Sequence, residues 1–140
     1  MKSVKLTWSN PTKIDSALKD YSSIESHWGL YCISRIFGRK ETILYIGYTF
    51  NQSFSQRIHQ HNQNWIKTYR GKKIVRFGYF LSPLQITEDL IKDVESCLIF
   101  ELCPVKNKSK TKSYTPKTEL QVLNEGNKLV LPNKISMKDH

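Results

Sequence analysis

Two short aromatic-glycine motifs constrain the fold of this chain more than any other feature. The motif GLY occupies residues 29–31 and the motif YIG occupies residues 45–47, which places their tyrosines fourteen positions apart. Both motifs lie in segments rich in aromatic and β-branched residues, over 28–34 and 42–48, which are typical of β-strands. With the turn residue Gly38 between them, these segments predict an antiparallel hairpin.

The alternation of side chains along a strand sets the surroundings of the two tyrosines. Tyr31 shares a face with Gly29, and Tyr45 shares a face with Gly47, so each phenol has a bare neighbour. Glycine weakens a strand and is often found where a ligand or another backbone comes close. The space beside the phenols is therefore a candidate phosphate site, although aromatic residues also suit an ordinary half-buried hairpin.

Charge and composition favour a polyanionic partner. The chain has 140 residues, 39% of them hydrophobic, which is material for one domain with an ordinary core. Its formal net charge of +10 favours nucleic acid, because Lys and Arg that neutralise phosphates release condensed counterions. No apolar run is long enough to span a membrane, and no continuous basic amphipathic helix is present to bind one. We therefore expect a soluble protein without a membrane partner.

The N-terminal segment and the cysteines indicate a cytoplasmic protein. Residues 1–10 contain no apolar stretch of the signal-peptide type. Cys32, Cys97 and Cys103 are odd in number and lack the spacing of a zinc site, which predicts reduced and mostly buried thiols.

Three further elements follow the hairpin. Residues 53–65 carry apolar side chains at near-helical spacing and predict a helix, and residues 74–81 predict a third strand. A longer helix is expected from Thr87, a favourable N-cap residue, to Pro104, which cannot continue a helix.

The chain divides into three parts by composition. Residues 1–27 predict a helical lead-in, and residues 28–107 predict the folded core. Residues 108–140 form a basic extension, which is either loosely ordered or folded into a last hairpin around Gly126 or Pro132.

The order of these elements and the polar residues that they carry resemble the GIY-YIG nuclease family. The resemblance covers residues 28–107 and departs from the family only conservatively, since Leu30 replaces the name-giving isoleucine and Cys32 stands where a tyrosine is frequent. It implies an α+β fold, in which a small three-stranded antiparallel sheet is flanked by helices. Six polar residues match the positions of the family's active site: Tyr31, Tyr45, Arg57, His61, Glu95 and Asn107.

The resemblance also implies a division of roles in phosphodiester hydrolysis. Tyr31 is expected as the general base or water-positioning phenol, Tyr45 as a ligand of phosphate or water, and Arg57 as the cation on the scissile phosphate. A phenol with a pKa of about 10 is a weak base at neutral pH, so Tyr31 needs a nearby cation, or His61 as a proton relay. His61 is equally compatible with a surface histidine, and Asn107 with a plain turn residue.

Glu95 is a candidate metal ligand from its helix position alone. It falls within the apolar arc that also holds Ile91, Val94 and Leu98, where an unpaired charge is costly. A cation, a basic partner such as Arg57, or protonation would each account for this position. Because Mg²⁺ is commonly held by one or two carboxylates with waters and substrate phosphate, we expect one Mg²⁺ or Mn²⁺ ion per active site at Glu95.

Basic side chains between the first core helix and the third strand predict a nucleic-acid surface. They are interleaved with Trp65 and Tyr69, a mixture that pairs phosphates and stacks bases, and the hairpin tip adds more charge. A solvated basic loop, with Trp65 in the core, accounts for the same pattern. The candidate nucleic-acid-binding residues are Arg35, Arg39, Lys40, Lys67, Arg70, Lys72, Lys73 and Arg76.

The sequence therefore favours a metal-dependent DNA endonuclease that acts as a monomer or homodimer. Such an enzyme would be prokaryotic or phage-encoded, and either of restriction type or associated with a phage or mobile element. Two alternatives remain open, a non-catalytic nucleic-acid-binding module with the same fold and a nuclease that cleaves RNA.

Overall fold

The chain begins with alternating apolar and polar residues, which fold as a strand. Val4, Leu6 and Trp8 are buried, whereas the alternate residues Ser3 and Lys5 are exposed. The computed structural model describes residues 2–15, 28–50, 54–81, 86–107, 120–126, 132 and 134–136. The strands are β1 (Lys2–Trp8), β2 (Thr12–Lys13), β3 (Trp28–Phe37), β4 (Lys40–Phe50), β5 (Lys72–Phe80), β6 (Leu120–Gly126) and β7 (Lys134–Ser136), and the helices are α1 (Phe54–Asn64) and α2 (Glu88–Leu102), with a 3₁₀ turn at Ile66–Thr68.

All seven strands belong to one curled, mixed sheet. Its order is β4-β3-β5-β1-β6-β7, and β2 pairs with β5 beside β1. The pairing of β1 with β6 is parallel, and the other pairings are antiparallel. The expectation of a small three-stranded antiparallel sheet flanked by helices is therefore wrong. Strands β4, β3 and β5 do form an antiparallel trio, but four further strands extend it, and only two helices accompany it in the described part of the chain.

The additional strands come from the two ends of the chain. β1 runs parallel to β6 over all seven residues of each strand. The Trp8 indole donates a hydrogen bond of 3.0 Å to Asn124 Oδ1, and both side chains are buried. Because these partners are 116 positions apart, no local pattern in the sequence reveals the contact. Residues 1–27 and 108–140 thus supply strands to the sheet that residues 28–107 begin.

The hairpin and the second helix form where the sequence predicts them. β3 and β4 meet at Gly38, whose φ of 67° is a left-handed conformation that glycine adopts without strain. α2 begins after Thr87, whose Oγ1 accepts a hydrogen bond of 3.2 Å from the Leu90 N–H. The helix ends at Leu102, just before Pro104, so the predicted N-cap and helix stop are confirmed.

The terminal predictions fall largely outside the described residues. Ile14 and Asp15 start a helical turn, but the remainder of the predicted lead-in helix is not among the described residues. The same holds for residues 108–119. Beyond them, β6 and β7 pair antiparallel on either side of Pro132.

The sheet separates two apolar cores because successive side chains of β3 point to opposite faces. Leu30 and Cys32 belong to the core that α2 covers, whereas Tyr31 and Ile33 belong to the core that α1 covers. The second core contains Ile14, Tyr31, Ile33, Phe54, Ile58, Ile66, Val75 and Phe77. Tyr31 therefore lies beneath α1, the helix that carries Arg57 and His61.

Candidate active site

The two phenols meet across the hairpin, where Tyr31 is opposite Gly47 and Ile33 is opposite Tyr45. The rings of Tyr31 and Tyr45 are stacked, with centroids 6.1 Å apart and an interplanar angle of 26°. Tyr31 is fully buried, and Tyr45 is half-buried. The phenol that meets solvent is therefore Tyr45.

Aromatic rings fill the spaces that the motif glycines leave. A Cβ at Gly47 would overlap the ring of Tyr31, and a Cβ at Gly29 would lie 2.8 Å from Phe54 Cζ and 2.9 Å from the Gly78 carbonyl oxygen. The glycines are thus needed for close packing of the rings and the backbone. The interpretation of these spaces as an open phosphate site is corrected accordingly.

His61 connects Tyr31 to an indole. Its Nε2 lies 2.9 Å from Tyr31 Oη, and its Nδ1 lies 2.9 Å from Trp65 Nε1. An indole N–H can only donate, so Nδ1 is the acceptor, and a neutral imidazole must carry its proton on Nε2. His61 therefore donates to the Tyr31 oxygen.

The charge state of His61 agrees with this direction of hydrogen bonding. Burial, with the nearby Arg57 charge as a smaller cause, lowers the pKa of His61 from 6.5 to about 4. The ring is neutral at pH 7 and cannot accept the Tyr31 proton while Trp65 holds Nδ1. The expectation that His61 relays this proton is thus corrected: in this arrangement it orients the phenol.

Arg57 supplies the positive charge of the site. It is partly buried and interacts electrostatically with both phenols, and its Nη1 donates to Gln60 Oε1 over 2.8 Å. Burial alone would lower the pKa of Arg57, but its interactions with Tyr31 and Tyr45 outweigh burial and raise it. The guanidinium is therefore charged at every pH at which the protein is folded.

The phenols resist ionisation. Burial raises the pKa of Tyr31 and that of Tyr45, and the negative charge of Glu95 raises both further. Arg57 works in the opposite direction on both phenols, and the neighbouring Tyr31 hydroxyl lowers the pKa of Tyr45 as a smaller cause. Of the two phenols, Tyr45 is the one whose ionised form is favoured by the neighbouring phenol.

Glu95 lies on α2 with only 6% of its surface exposed. Its charge acts on both phenols, and it ranks higher among the causes that raise the pKa of Tyr45 than among those that raise the pKa of Tyr31. No group of three or more His, Cys, Asp or Glu side chains able to hold a metal occurs among the residues that the structure describes. A single buried carboxylate does not suit zinc, but it suits Mg²⁺ or Mn²⁺ with water and phosphate as further ligands.

Asn107 holds the backbone next to the site. Its Oδ1 accepts the Ile46 N–H at 2.8 Å, and its Nδ2 donates to the Ile46 carbonyl oxygen over 2.9 Å. The adjacent Lys106 N–H donates to the Leu44 carbonyl oxygen over 2.7 Å, so the segment covers the outer edge of β4. Asn107 thus fixes the strand that carries Tyr45.

Arg76 is not at the surface, which corrects its assignment to nucleic-acid binding. It is fully buried on β5 and forms two hydrogen bonds with Glu41 of β4, of 2.6 Å and 3.0 Å. This bidentate pair is a structural ion pair beneath α2, because Arg76 lies opposite Cys32 on the α2 face of the sheet.

The other basic candidates gather at one end of the sheet, because the register places Arg35 opposite Lys73. Arg35 also packs its guanidinium over the ring of Tyr69, 5.6 Å from the centroid. The exposed residues of this group are Arg39, Lys40, Lys67, Arg70 and Lys72, and the partly buried ones are Arg35 and Lys73.

Two residues have structural roles that the sequence analysis did not predict. Trp65 fixes the tautomer of His61, and its position four residues after His61 is the signal that could have indicated the contact. Glu41 neutralises Arg76, but the two are 35 positions apart and no local pattern connects them.

No family model, curated protein or solved structure matches this chain. The described residues contain no helix that is both long and apolar enough to cross a membrane.

Proposed function

We propose that this chain is a metal-dependent endonuclease of the GIY-YIG type that hydrolyses phosphodiester bonds in DNA. The observation that carries the proposal is the packing of two phenols and a neutral imidazole against one another, with the charges of Arg57 and Glu95 acting on both phenols. Perturbed titratable groups of this kind cluster at functional sites. The free thiols of Cys32 and Cys97 are buried, which supports an intracellular setting.

Arg57 is proposed to bind the scissile phosphate. Its planar guanidinium pairs with phosphate oxygens in a bidentate manner, and it stabilises the negative charge that increases on those oxygens in the transition state. Arg57 is reached from solvent through a surface cavity of about 220 Å³, whose other lining residues are Tyr48, Thr49, Phe50 and Glu88.

The phenols are proposed to act as a pair. Tyr45 is the one that can reach a water molecule, and Tyr31 lies behind it, where it receives a hydrogen bond from His61 and supports the Tyr45 oxygen. The polarity of this chain of hydrogen bonds is set by Trp65. We therefore assign the contact with the attacking water to Tyr45 and the orienting role to Tyr31.

Glu95 is proposed to hold one Mg²⁺ or Mn²⁺ ion per active site. Such an ion, when bound, stabilises charge on the phosphate and lowers the pKa of oxygen ligands beside it. The raised pKa values of the phenols make such an additional positive charge necessary at neutral pH.

One observation also supports the alternative function, a non-catalytic nucleic-acid-binding module. Tyr31 is fully buried, and burial is the main cause of its raised pKa, which would also fit a phenol with a purely structural role. An assay of nucleic-acid cleavage distinguishes the two functions.

The test is incubation of the protein with supercoiled plasmid, single-stranded DNA and RNA, each with Mg²⁺, with Mn²⁺ or with EDTA. We expect metal-dependent nicking of plasmid by the wild type, reduced about a hundredfold or more in Glu95→Gln. Glu101→Gln is the matched control, because Glu101 is an exposed residue of the same helix. Binding without cleavage of any substrate would establish the module, cleavage of RNA alone would change the substrate, and near-normal nicking by Glu95→Gln would remove Glu95 from the site.

A further inference from the structure

A lysine-lined cavity lies on the flank of α1, away from the phenols. Its volume is about 350 Å³, and it is open to solvent where α1, the 3₁₀ turn, β2 and the start of β5 meet. The polar residues that line it are Lys13, Asp15, Asn62, Lys67, Lys72 and Lys73. Four ammonium groups against one carboxylate give the cavity a strong positive charge.

The cavity is held in shape by the backbone. Lys73 Nζ donates to the Tyr69 carbonyl oxygen over 2.8 Å, which fixes one ammonium group and leaves it two further protons to donate. Gly71 forms the adjacent turn with a φ of 97°, and a Cβ there would lie 2.6 Å from the Ile36 carbonyl oxygen. The lysines therefore line a depression whose shape is fixed by the backbone.

The position of the cavity relates it to the proposed site. Asn62 follows His61 directly on α1, and Lys73 lies opposite Arg35, four residues from Tyr31 along β3. At a rise of about 3.3 Å per residue, the lysine end of the sheet is about 13 Å from the phenols. Phosphates of one strand of a duplex are spaced by about 3.4 Å along the axis and also wind around it, so this distance corresponds to a few nucleotides.

We infer that this cavity binds a backbone phosphate of the nucleic acid a few nucleotides from the cleaved bond. The inference rests on the proposed function for its distance to the scissile phosphate, but binding itself does not require cleavage. The proposed nucleic-acid surface therefore also includes Lys13 and Asn62, and it no longer includes Arg76.

The experiment measures binding in EDTA, so that no cleavage takes place. Fluorescence anisotropy of a labelled DNA duplex is recorded at several salt concentrations for the wild type and for the double variant Lys13→Gln/Lys67→Gln. The control is Lys92→Gln/Lys134→Gln, which removes the same charge from exposed positions on α2 and β7.

Loss of one phosphate contact should reduce the slope of log affinity against log salt by about 0.9 in the cavity variant and leave the slope of the control unchanged. Equal losses in both double variants, or no tight binding of DNA by the wild type, would overturn the inference. If the salt slope of the cavity variant is reduced as expected but the wild type cleaves nothing with Mg²⁺ or Mn²⁺, the binding site stands and the nuclease proposal fails. If the wild type cleaves DNA but both double variants keep the wild-type salt slope, the nuclease proposal stands and the phosphate site in the cavity fails.

Discussion

Substitution of His61 by glutamine should remove a large part of the acid sensitivity of this fold. The pKa of His61 is lowered to about 4 in the folded protein and returns to 6.5 on unfolding. Between these values the unfolded chain binds the proton and the folded chain does not, so stability is complete above about pH 6.5 and is lost as the pH falls towards 4. At about 1.36 kcal/mol per pKa unit, the full loss is about 3 kcal/mol, and solvent screening of the partly accessible ring reduces it to about 2 kcal/mol.

Urea unfolding followed by circular dichroism at pH 7 and at pH 4.5 measures this loss. The wild type should lose about 1.5 kcal/mol more between these pH values than His61→Gln does, because the loss is complete only below pH 4. His59→Gln is the matched control, because His59 is exposed on the same helix, and it should keep the wild-type loss.

The reasoning is refuted if His61→Gln and the wild type lose the same stability, or if an NMR titration gives His61 a pKa near 6.5. Such a pKa would also restore His61 as a proton acceptor at neutral pH. A pH profile of cleavage with no ionisation between pH 6 and 7 would agree instead with its role as a neutral donor.

Three further substitutions test individual contacts. Trp65→Phe removes the donor to Nδ1, so ¹⁵N NMR should show a mixture of His61 tautomers in place of the Nε2–H form, and a spectrum that keeps one tautomer would contradict the assigned polarity. Glu41→Gln should lower the free energy of unfolding by about 3 to 5 kcal/mol, because it leaves the charge of Arg76 buried without compensation, and a loss well below 1 kcal/mol in urea unfolding would argue against the ion pair. Asn107→Ala removes two hydrogen bonds at the β4 edge and should cost about 1 to 3 kcal/mol in thermal unfolding, with an unchanged melting temperature as the contrary result.

Local signals predicted the elements that local interactions form. The turn at Gly38, the cap at Thr87 and the stop before Pro104 each involve residues within a few positions of one another, and all are present in the structure. The strand β1 was missed although Val4 to Trp8 alternate, because its pairing with β6 depends on a partner more than a hundred residues away.

The residues of the candidate site were likewise predictable only in part. The resemblance grouped Arg57 and His61 with the two phenols, and the structure also places these four residues near one another, but the resemblance could not give their exposure. Tyr31 is sealed by the docking of α1, and the direction of the His61 hydrogen bonds depends on Trp65. Arg76 belongs to a basic run in the sequence, yet strand alternation turns it into the interior, where only the distant Glu41 can neutralise it.

The parallel contact between the first and last long strands has a consequence for synthesis of the protein. β1 leaves the ribosome first, but its partner β6 leaves only after most of the chain has been made. Until then, one edge of β1 has no neighbour, and such an edge is prone to pair with other polypeptides. A chain that ends after Asn107 keeps that edge open permanently, so we expect it to aggregate during expression before any loss of nucleic-acid affinity can be measured.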